Sequence, residues 1–133
     1  MGADGAVHSA TQDIARTVLG MTGGRGVDVV IENVGAAVWS AALKSLVRGG
    51  RLVTCGATTG DQPGADLRRL LMLRIRAAIV GGTFAEFRDL LALCERSPMR
   101  PVIDSRHTLE QVPDALTRLA SGQQFGKVAI TIE

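Results

Sequence analysis

The chain has 133 residues, of which 46% are apolar and 3% aromatic, and its formal net charge is +2. This composition is that of one ordinary globular domain with an aliphatic core, and the lack of a basic run or of interleaved aromatic residues excludes a nucleic-acid surface. No apolar stretch reaches the roughly 18 residues that a membrane-spanning helix needs, so we expect no membrane partner either.

The first 50 residues predict a helix, a strand and a second helix in turn. Ser9 and Gln12 have the spacing of a capping box, and the apolar residues behind them keep helical spacing up to a glycine pair. Residues 27–33 form a short β-branched run without alternation, which predicts a strand buried on both faces, as in a parallel sheet. A helix over 36–47 and a turn at 48–50 follow.

The same alternation continues through the middle of the chain. Residues 51–57 predict a second buried strand, and a polar loop with glycine and proline leads to a short helix at 67–73. Residues 76–82 predict a third strand. Strands that alternate with helices indicate an α/β layer built on a mostly parallel sheet.

Each predicted strand runs into glycine, at Gly35, at Gly56 and at the pair Gly81 and Gly82. Right-handed crossovers place the carboxyl ends of parallel strands on one rim, where ligands bind. A glycine there either lets the backbone approach a ligand or simply forms the turn, and for any single glycine the turn is the simpler interpretation. Glycines after three strands of one rim favour a ligand site.

The last third of the chain predicts two helices and a closing strand. Apolar residues at helical spacing predict a helix that begins at Phe84 and stops before a Ser-Pro pair. An extended piece, a helix with the capping-box residues Thr108 and Gln111 at its start, and an alternating strand follow. These three elements are expected at 102–107, between 108 and 122, and at 127–132.

A dinucleotide-binding fold normally carries the motif G-x-G-x-x-G directly after its first strand. The nearest match here, residues 23–26, precedes a strand, so it predicts only a turn. The pattern alone therefore indicates a parallel α/β domain with a possible ligand rim.

The two cysteines, Cys55 and Cys94, stand outside any CxxC or Cys/His cluster. Scattered cysteines are typical of the reducing cytoplasm, and the N-terminal residues lack the basic and apolar regions of a signal peptide. We therefore expect a cytoplasmic chain that holds no metal. Cys55 lies in a predicted strand without a partner nearby in sequence, which favours a buried core thiol over a nucleophile.

Residues 23–35, GGRGVDVVIENVG, closely resemble the medium-chain dehydrogenase/reductase superfamily, particularly its quinone-oxidoreductase-like and zinc-type alcohol dehydrogenase members. The resemblance continues in the same order through LKSLVRGGRLVTCG, AIVGG, PVI and GQQFGKVAI. Each motif alone is weakly specific. Their common order and spacing over nearly the whole chain carry the assignment.

This resemblance implies an incomplete Rossmann-like fold, a mostly parallel sheet with flanking helices that lacks the first two strands and the GxGxxG turn. Residues 1–133 would form a single partial NAD(P)-binding domain, with strands three to six in 1–83 and a C-terminal return segment in 84–133. Residues 2–4 resemble the family segment that enters strand three. In the strand order 3-2-1-4-5-6, the missing strands leave a hole beside strand four.

The implied function is that of a fragment of an NADH- or NADPH-dependent oxidoreductase. The complete enzyme would transfer hydride to or from a small-molecule carbonyl, alcohol, quinone or enone. The family's catalytic domain has no counterpart here, so we expect no catalytic residue in this chain and no activity by the chain alone.

The resemblance also implies which residues meet the cofactor. The segments at the strand ends would face its nicotinamide end, and a basic residue near the C-terminus would reach its pyrophosphate. These residues are Val34, Gly35, Cys55, Gly56, Ala57, Ile79, Val80 and Lys127. Lys127 is equally well interpreted as a solvated surface lysine, and Glu32, at the end of a strand, is expected at most to support the residues that touch the ligand.

Two other interpretations stay open. The chain could be a non-catalytic α/β interaction module that self-associates or complements another chain, because open strand edges expose unpaired N–H and C=O groups. In the family, the strand that corresponds to 76–82 is the edge through which two subunits join, so we expect a dimer or other homo-oligomer. The chain could also be a stable α/β domain without a ligand.

Overall fold

The computed structural model describes residues 2–98 and 100–132, apart from the side chain of Ile79. The chain divides into two compact units, Met1–Gly81 and Gly82–Glu133. Each unit contains a small parallel sheet with helices, which confirms the predicted α/β class. Within the described residues, no helix is both long enough and apolar enough to cross a membrane.

The first unit alternates helices and strands in the predicted order. Its strands pair in parallel in the order β1-β2-β3. The elements are α1 (Ile14–Met21), β1 (Val27–Glu32), α2 (Ala36–Ser45), β2 (Leu46–Thr54), α3 (Leu67–Leu73) and β3 (Arg76–Ile79).

Aspartate residues begin two of these helices. Asp13 caps α1 by accepting from the Arg16 N–H at 2.9 Å, whereas the Gln12 side chain accepts from the His8 N–H at 2.7 Å. The predicted capping box at the start of α1 is therefore wrong, because a carboxylate directly before the helix is the acceptor that its free N–H groups use. Asp66 caps α3 in the same way, and the predicted bounds of that helix are confirmed.

The border between α2 and β2 differs from the prediction. The helix ends at Ser45 and the strand begins at Leu46, with no turn between them. Val27 pairs with Leu46 and Val29 pairs with Arg51. A step of two residues along β1 therefore corresponds to a step of five residues along β2. The predicted turn at 48–50 is instead a bulge in the strand, whose extra residues need the positive φ of 78° at Gly49.

The core of this unit lies on one face of its sheet. Leu43 and Leu52 are 1% and 0% exposed and pack with Ala42, Leu46 and Ile75. Burying each of these leucines contributes about 1.5–3 kcal/mol. The core therefore joins α2 and β2 around two fully buried side chains.

The prediction that the first strand is buried on both faces is wrong. Val29 and Ile31 point away from the core and are 46% and 76% exposed. Within the described residues, β1 is the end strand of its sheet and pairs only with β2. The aliphatic pattern of β1 is thus that of an inner strand, but its position is that of an edge.

Among its described residues, 82–98 and 100–132, the second unit has two helices and two parallel strands. They are α4 (Phe84–Arg96), β4 (Ile103–His107), α5 (Val112–Ala120) and β5 (Lys127–Ile130), in close agreement with the predicted order. Gln111 accepts from the Thr108 N–H at 3.0 Å, so half of the predicted capping box forms, but α5 begins only at Val112. A complete capping box, which the sequence analysis missed, joins Thr83 and Glu86 at the start of α4.

A partly buried charged pair connects elements of the second unit. Asp104 on β4 accepts from Arg118 Nε at 3.0 Å, from Arg118 Nη2 at 2.9 Å and from the Phe125 N–H at 2.9 Å. The Arg118 guanidinium, and after it the Phe125 N–H, lower the pKa of Asp104 to about 2. One carboxylate thus connects β4, α5 and the loop before β5.

Candidate ligand site at the carboxyl ends of the strands

The loops that follow β1 and β2 enclose a cavity of about 340 Å³ in the first unit. It opens at the carboxyl ends of the strands, which is where ligands bind in parallel α/β folds. Ten of the described residues line it, namely Glu32, Gly35, Trp39, Thr54, Cys55, Gly56, Ala57, Gly60, Asp61 and Pro63. Four of the predicted site residues, Gly35, Cys55, Gly56 and Ala57, therefore all line this cavity.

Hydrogen bonds tie the two loops to each other. The Val34 carbonyl accepts from the Thr59 N–H at 2.8 Å and from the Thr59 hydroxyl at 2.7 Å. The Ala36 N–H donates to the Gly60 carbonyl at 3.1 Å. Val34, another predicted site residue, thus serves as the acceptor that joins the loops. The site is held by bonds between residues about 25 positions apart, as Val34 and Thr59 are.

Two rim glycines are required by this close packing of the loops. Gly35 has φ of 91°, and a Cβ there would lie 2.5 Å from the Gly60 carbonyl oxygen. A Cβ on Gly56 would lie 2.8 Å from the Asn33 carbonyl oxygen. By contrast, a Cβ on Gly81 or Gly82 would meet no atom within 4 Å. The close contact between these loops is therefore enough to explain why positions 35 and 56 hold glycine.

Glu32 is the main polar group of the cavity wall. It is only 5% exposed, and its Oε1 accepts from the N–H groups of both Val34 and Gly35. Burial raises the pKa of Glu32. The Gly35 N–H, the neighbouring Thr54 hydroxyl and the Val34 N–H together lower this pKa by more than burial raises it, so its net shift is downward. Glu32 is consequently an anion at neutral pH, and the Gly35 N–H is already occupied.

Trp39 was not singled out from the sequence. Trp39 lies one helical turn after Gly35, so it stands at the same rim and lines the cavity. Its Nε1 and the Oε2 of Glu32 are both buried, and neither has a hydrogen-bond partner among the described residues. The spacing of a large aromatic residue four positions after the rim glycine is the pattern that could have indicated it.

Cys55 differs from its prediction. The structure places it outside the strand, since β2 ends at Thr54, and its side chain is exposed instead of lying in the core. Its Sγ lies 3.8 Å from the Glu32 carbonyl oxygen. A strand that is three residues shorter than predicted moves this thiol from the core to the rim.

The remaining predicted site residues are not among the described residues that line the cavity. The Val80 N–H donates to the Thr54 carbonyl at 3.0 Å, and Ile79 pairs with Thr54, so the end of β3 runs beside the end of β2. Lys127 belongs to the second unit, where it is exposed at the first position of β5 and its N–H donates to the Val102 carbonyl at 2.8 Å.

The family model of zinc-binding dehydrogenases matches residues 1–130. The chain is 26% identical to quinone oxidoreductase-like protein 2 of Bos taurus, over 99% of this chain and 41% of that protein. It is 29% identical to an NAD-dependent alcohol dehydrogenase of Sulfolobus acidocaldarius, over 99% of this chain and 38% of the relative.

A solved structure shows the same fold. A putative alcohol dehydrogenase from Sinorhizobium meliloti superimposes with a TM-score of 0.86 and 29% identity, over 99% of this chain and 37% of the other. The chain thus spans about two fifths of the length of each of these three proteins.

Proposed function

Because the chain belongs to the zinc-binding dehydrogenase family, we propose that it forms the nicotinamide-side part of the nucleotide-binding region of an NADH- or NADPH-dependent oxidoreductase. The resemblance to quinone-oxidoreductase-like and alcohol dehydrogenase proteins that the sequence predicts is confirmed by the relatives above. The observation that carries the proposal is the family match over residues 1–130, with a cavity at the rim where this fold binds its ligands.

The rim residues would hold the nicotinamide end of the cofactor. Val34 and Gly35, the segment from Cys55 to Ala57, and Ile79 with Val80 stand at the ends of three neighbouring parallel strands. A bound cofactor would supply the hydride, and these backbone segments would position the ring and exclude water from it. The Lys127 ammonium would complement a phosphate charge, and the competing interpretation is a solvated surface lysine.

Zinc has no place in this proposal for the present chain. Among residues 2–98 and 100–132, no group of three or more His, Cys, Asp or Glu side chains could hold a metal ion. The residues therefore do not fit the metal named in the family description, and we route no step through it.

We further propose that the chain is a single partial domain of a cytoplasmic enzyme, inactive by itself. Its relatives are more than twice as long, and the described residues include no glycine-rich turn between a first strand and its helix. In this fold, that turn binds the pyrophosphate of the cofactor. The small-molecule substrate, a carbonyl, alcohol, quinone or enone compound, would be selected by parts of the protein that lie outside these residues.

Calorimetry tests the proposal. NADH and NADPH are titrated into the 133-residue chain and into a longer chain that adds the two missing strands and their glycine turn. We expect saturable heat from one of the cofactors with the longer chain, and with the short chain weak binding and no turnover of alcohol, quinone or enone substrates. Turnover by the short chain would contradict its inactivity, and no binding by the longer chain would contradict the cofactor.

A second candidate function is a self-associating interaction module. It is favoured by the open sheet of the first unit, where Ile31 on β1 is 76% exposed and Val29 is 46% exposed. The opposite end strand, β3, is the edge that we propose for a homo-oligomer, through residues 76–82. Light scattering tests this second function, because a monomer at micromolar concentration contradicts self-association.

A further inference from the structure

Helix α3 carries apolar side chains on both of its faces. Leu70 and Leu73 pack against the core of the first unit. On the outward face, Leu67, Leu71 and Met72 are 71%, 78% and 60% exposed. A helix that is apolar all round is normally buried on every side, because exposed leucines gain nothing from water. The outward face of α3 is therefore suited to contact with a second apolar surface.

Arginines surround this outward face. Arg68 and Arg69 belong to α3, and Arg74 follows the helix at its C-cap. Arg48 is held at the end of α3, since its Nη1 donates to the Met72 carbonyl at 2.9 Å. The α3 surface is defined by these arginines and the outward apolar residues, namely Arg48, Arg68, Arg69, Arg74, Leu67, Leu71 and Met72.

The positive charge of the α3 surface is largely uncompensated. Residues 44–76 contain seven basic and two acidic side chains. One acid, Asp61, lines the rim cavity, and the other, Asp66, caps α3 and lies 3.8 Å from Arg69 Nε. Among the described residues, the other three arginines of this surface have no ion pair. Neighbouring positive charges repel one another, so an anionic partner is favoured.

A groove of about 330 Å³ beside α3 combines the two kinds of side chain. Arg68 and Arg69 line it together with Met72, Leu73 and Asp66. Guanidinium groups bind phosphate oxygens through paired hydrogen bonds, and a methionine side chain adapts its shape to flexible apolar groups. The groove therefore suits a molecule that carries a phosphate next to a hydrocarbon chain.

We propose that the α3 surface is a docking site for an anionic phospholipid bilayer. Leu67, Leu71 and Met72 enter the boundary of the acyl chains, while the arginines contact lipid phosphates at the level of the headgroups. These apolar side chains protrude from a helix, which suits insertion into lipid better than the groove that a peptide helix requires. The surface has no aromatic side chain on which the bases of a nucleic acid could stack.

This mode of binding requires neither a membrane-spanning helix nor a cofactor. The lack of a long apolar stretch, from which we expect no membrane partner, concerns helices that cross a bilayer, whereas a helix on its surface needs only one apolar face. The cytoplasmic leaflet carries the anionic lipids, so this surface is compatible with a cytoplasmic enzyme. Vesicle binding and cofactor binding are measured separately, and the failure of one leaves the other standing.

Sedimentation with vesicles tests the proposal. The 133-residue chain is mixed with vesicles of phosphatidylcholine alone or with about one third phosphatidylserine, and the bound fraction is measured. We expect binding to the serine-containing vesicles to be at least about tenfold tighter, because several arginines contribute. Raising NaCl from about 0.1 M to about 1 M shortens the Debye length from about 10 Å to about 3 Å, so this preference should fall to about threefold or less.

Two variants separate the effect of charge from that of apolar insertion. Arg68→Gln should weaken binding to the serine-containing vesicles about fivefold, the contribution of one basic residue near an anionic surface. Leu71→Gln should weaken binding about tenfold at either salt concentration, because one inserted apolar side chain is lost. The matched controls, Arg88→Gln on α4 and Leu116→Gln on α5, alter exposed residues of the second unit and should change binding by less than about twofold.

Several results would overturn the proposal. They are equal binding to the two kinds of vesicle, losses in the controls as large as those in the α3 variants, and binding to poly-L-glutamate but not to vesicles, which would assign the surface to an acidic protein. Loss of vesicle binding in the longer chain with the two missing strands would also overturn it, because α3 would then be covered. If circular dichroism shows that an α3 variant is unfolded, Arg74→Gln or Met72→Gln replaces it.

Discussion

Arg118 on α5 donates hydrogen bonds to both carboxylate oxygens of Asp104, which lies 14 residues earlier on β4, at 3.0 Å and 2.9 Å. Two parallel N–H···O bonds between a planar guanidinium and a carboxylate give this contact directional strength that a lysine could not supply. The Phe125 N–H adds a third bond to the same carboxylate. The second unit is therefore sensitive to the charge of one side chain.

Acid should destabilise the chain through Asp104. The folded pKa is about 2 against an ordinary value of 3.8, so the stabilising effect is complete above pH 3.8 and is lost as the pH falls through 2. Asp104→Asn should lower the urea midpoint at pH 7 and flatten its dependence on pH between 4 and 2. Urea titrations at several pH values measure this, with Asp89→Asn on exposed α4 as control. An unchanged acid slope in Asp104→Asn would contradict the prediction.

Alanine at Gly35 should be costly. A Cβ at 2.5 Å from the Gly60 oxygen, on a residue with φ of 91°, forces the two rim loops apart. We expect Gly35→Ala to reduce the free energy of unfolding by about 1–3 kcal/mol. Gly82→Ala, with open space around the new Cβ, is the matched control and should change stability by less than about 0.5 kcal/mol. Chemical denaturation compares them, and equal effects would mean that the loops adjust freely.

Glu32 should matter for stability through its acceptor oxygen more than through its charge. Glu32→Ala leaves the N–H groups of Val34 and Gly35 without their acceptor and should cost about 1–3 kcal/mol. Glu32→Gln keeps an oxygen at that place and should cost less than the alanine variant. Thermal melts followed by circular dichroism rank the two, and a larger loss in Glu32→Gln would show that the charge dominates.

The bare face of the first sheet offers a prediction about association. Ile31→Lys places a charge on a side chain that is 76% exposed, so the free energy of unfolding should change by no more than about 0.5 kcal/mol. We expect the mass measured by light scattering to stay that of the unaltered chain, because the edge proposed for the homo-oligomer is β3, at the opposite end of the sheet, whereas a fall toward the monomer mass would place the contact on β1. If the unaltered chain already has the monomer mass, self-association through this sheet is contradicted.

The sequence predicts the order of elements well because that order follows from local pattern. The bounds of α3 are found from its apolar spacing and a preceding polar loop. The border at Leu46 is missed because Leu46 and Val47 continue the helical pattern of α2, while the pairing of Leu46 with Val27 on β1 is a tertiary contact. The cap of α1 is missed because a second plausible acceptor, Ser9, stands four residues before Asp13 and has Gln12 at the spacing of a capping box.

The sequence predicts only those parts of the candidate site that are formed by backbone atoms. Gly35 and Gly56 mark the ends of strands, and the rule for parallel sheets brings strand ends together. Trp39 reaches the same rim four positions after Gly35, a spacing that could have indicated it, but Thr59 reaches the rim from a distant loop, which no local spacing reveals. The Asp104–Arg118 pair is hidden for the same reason, since it joins a strand to a helix 14 residues later.

The bonds from Val34 to Thr59 and from Ala36 to Gly60 have a mechanical consequence. Neither loop can move outward without breaking its hydrogen bonds to the other, so the two loops at the mouth of the cavity move together as one rigid segment. A ligand that displaces the loop at Ala57 therefore also displaces Gly35 and the start of α2.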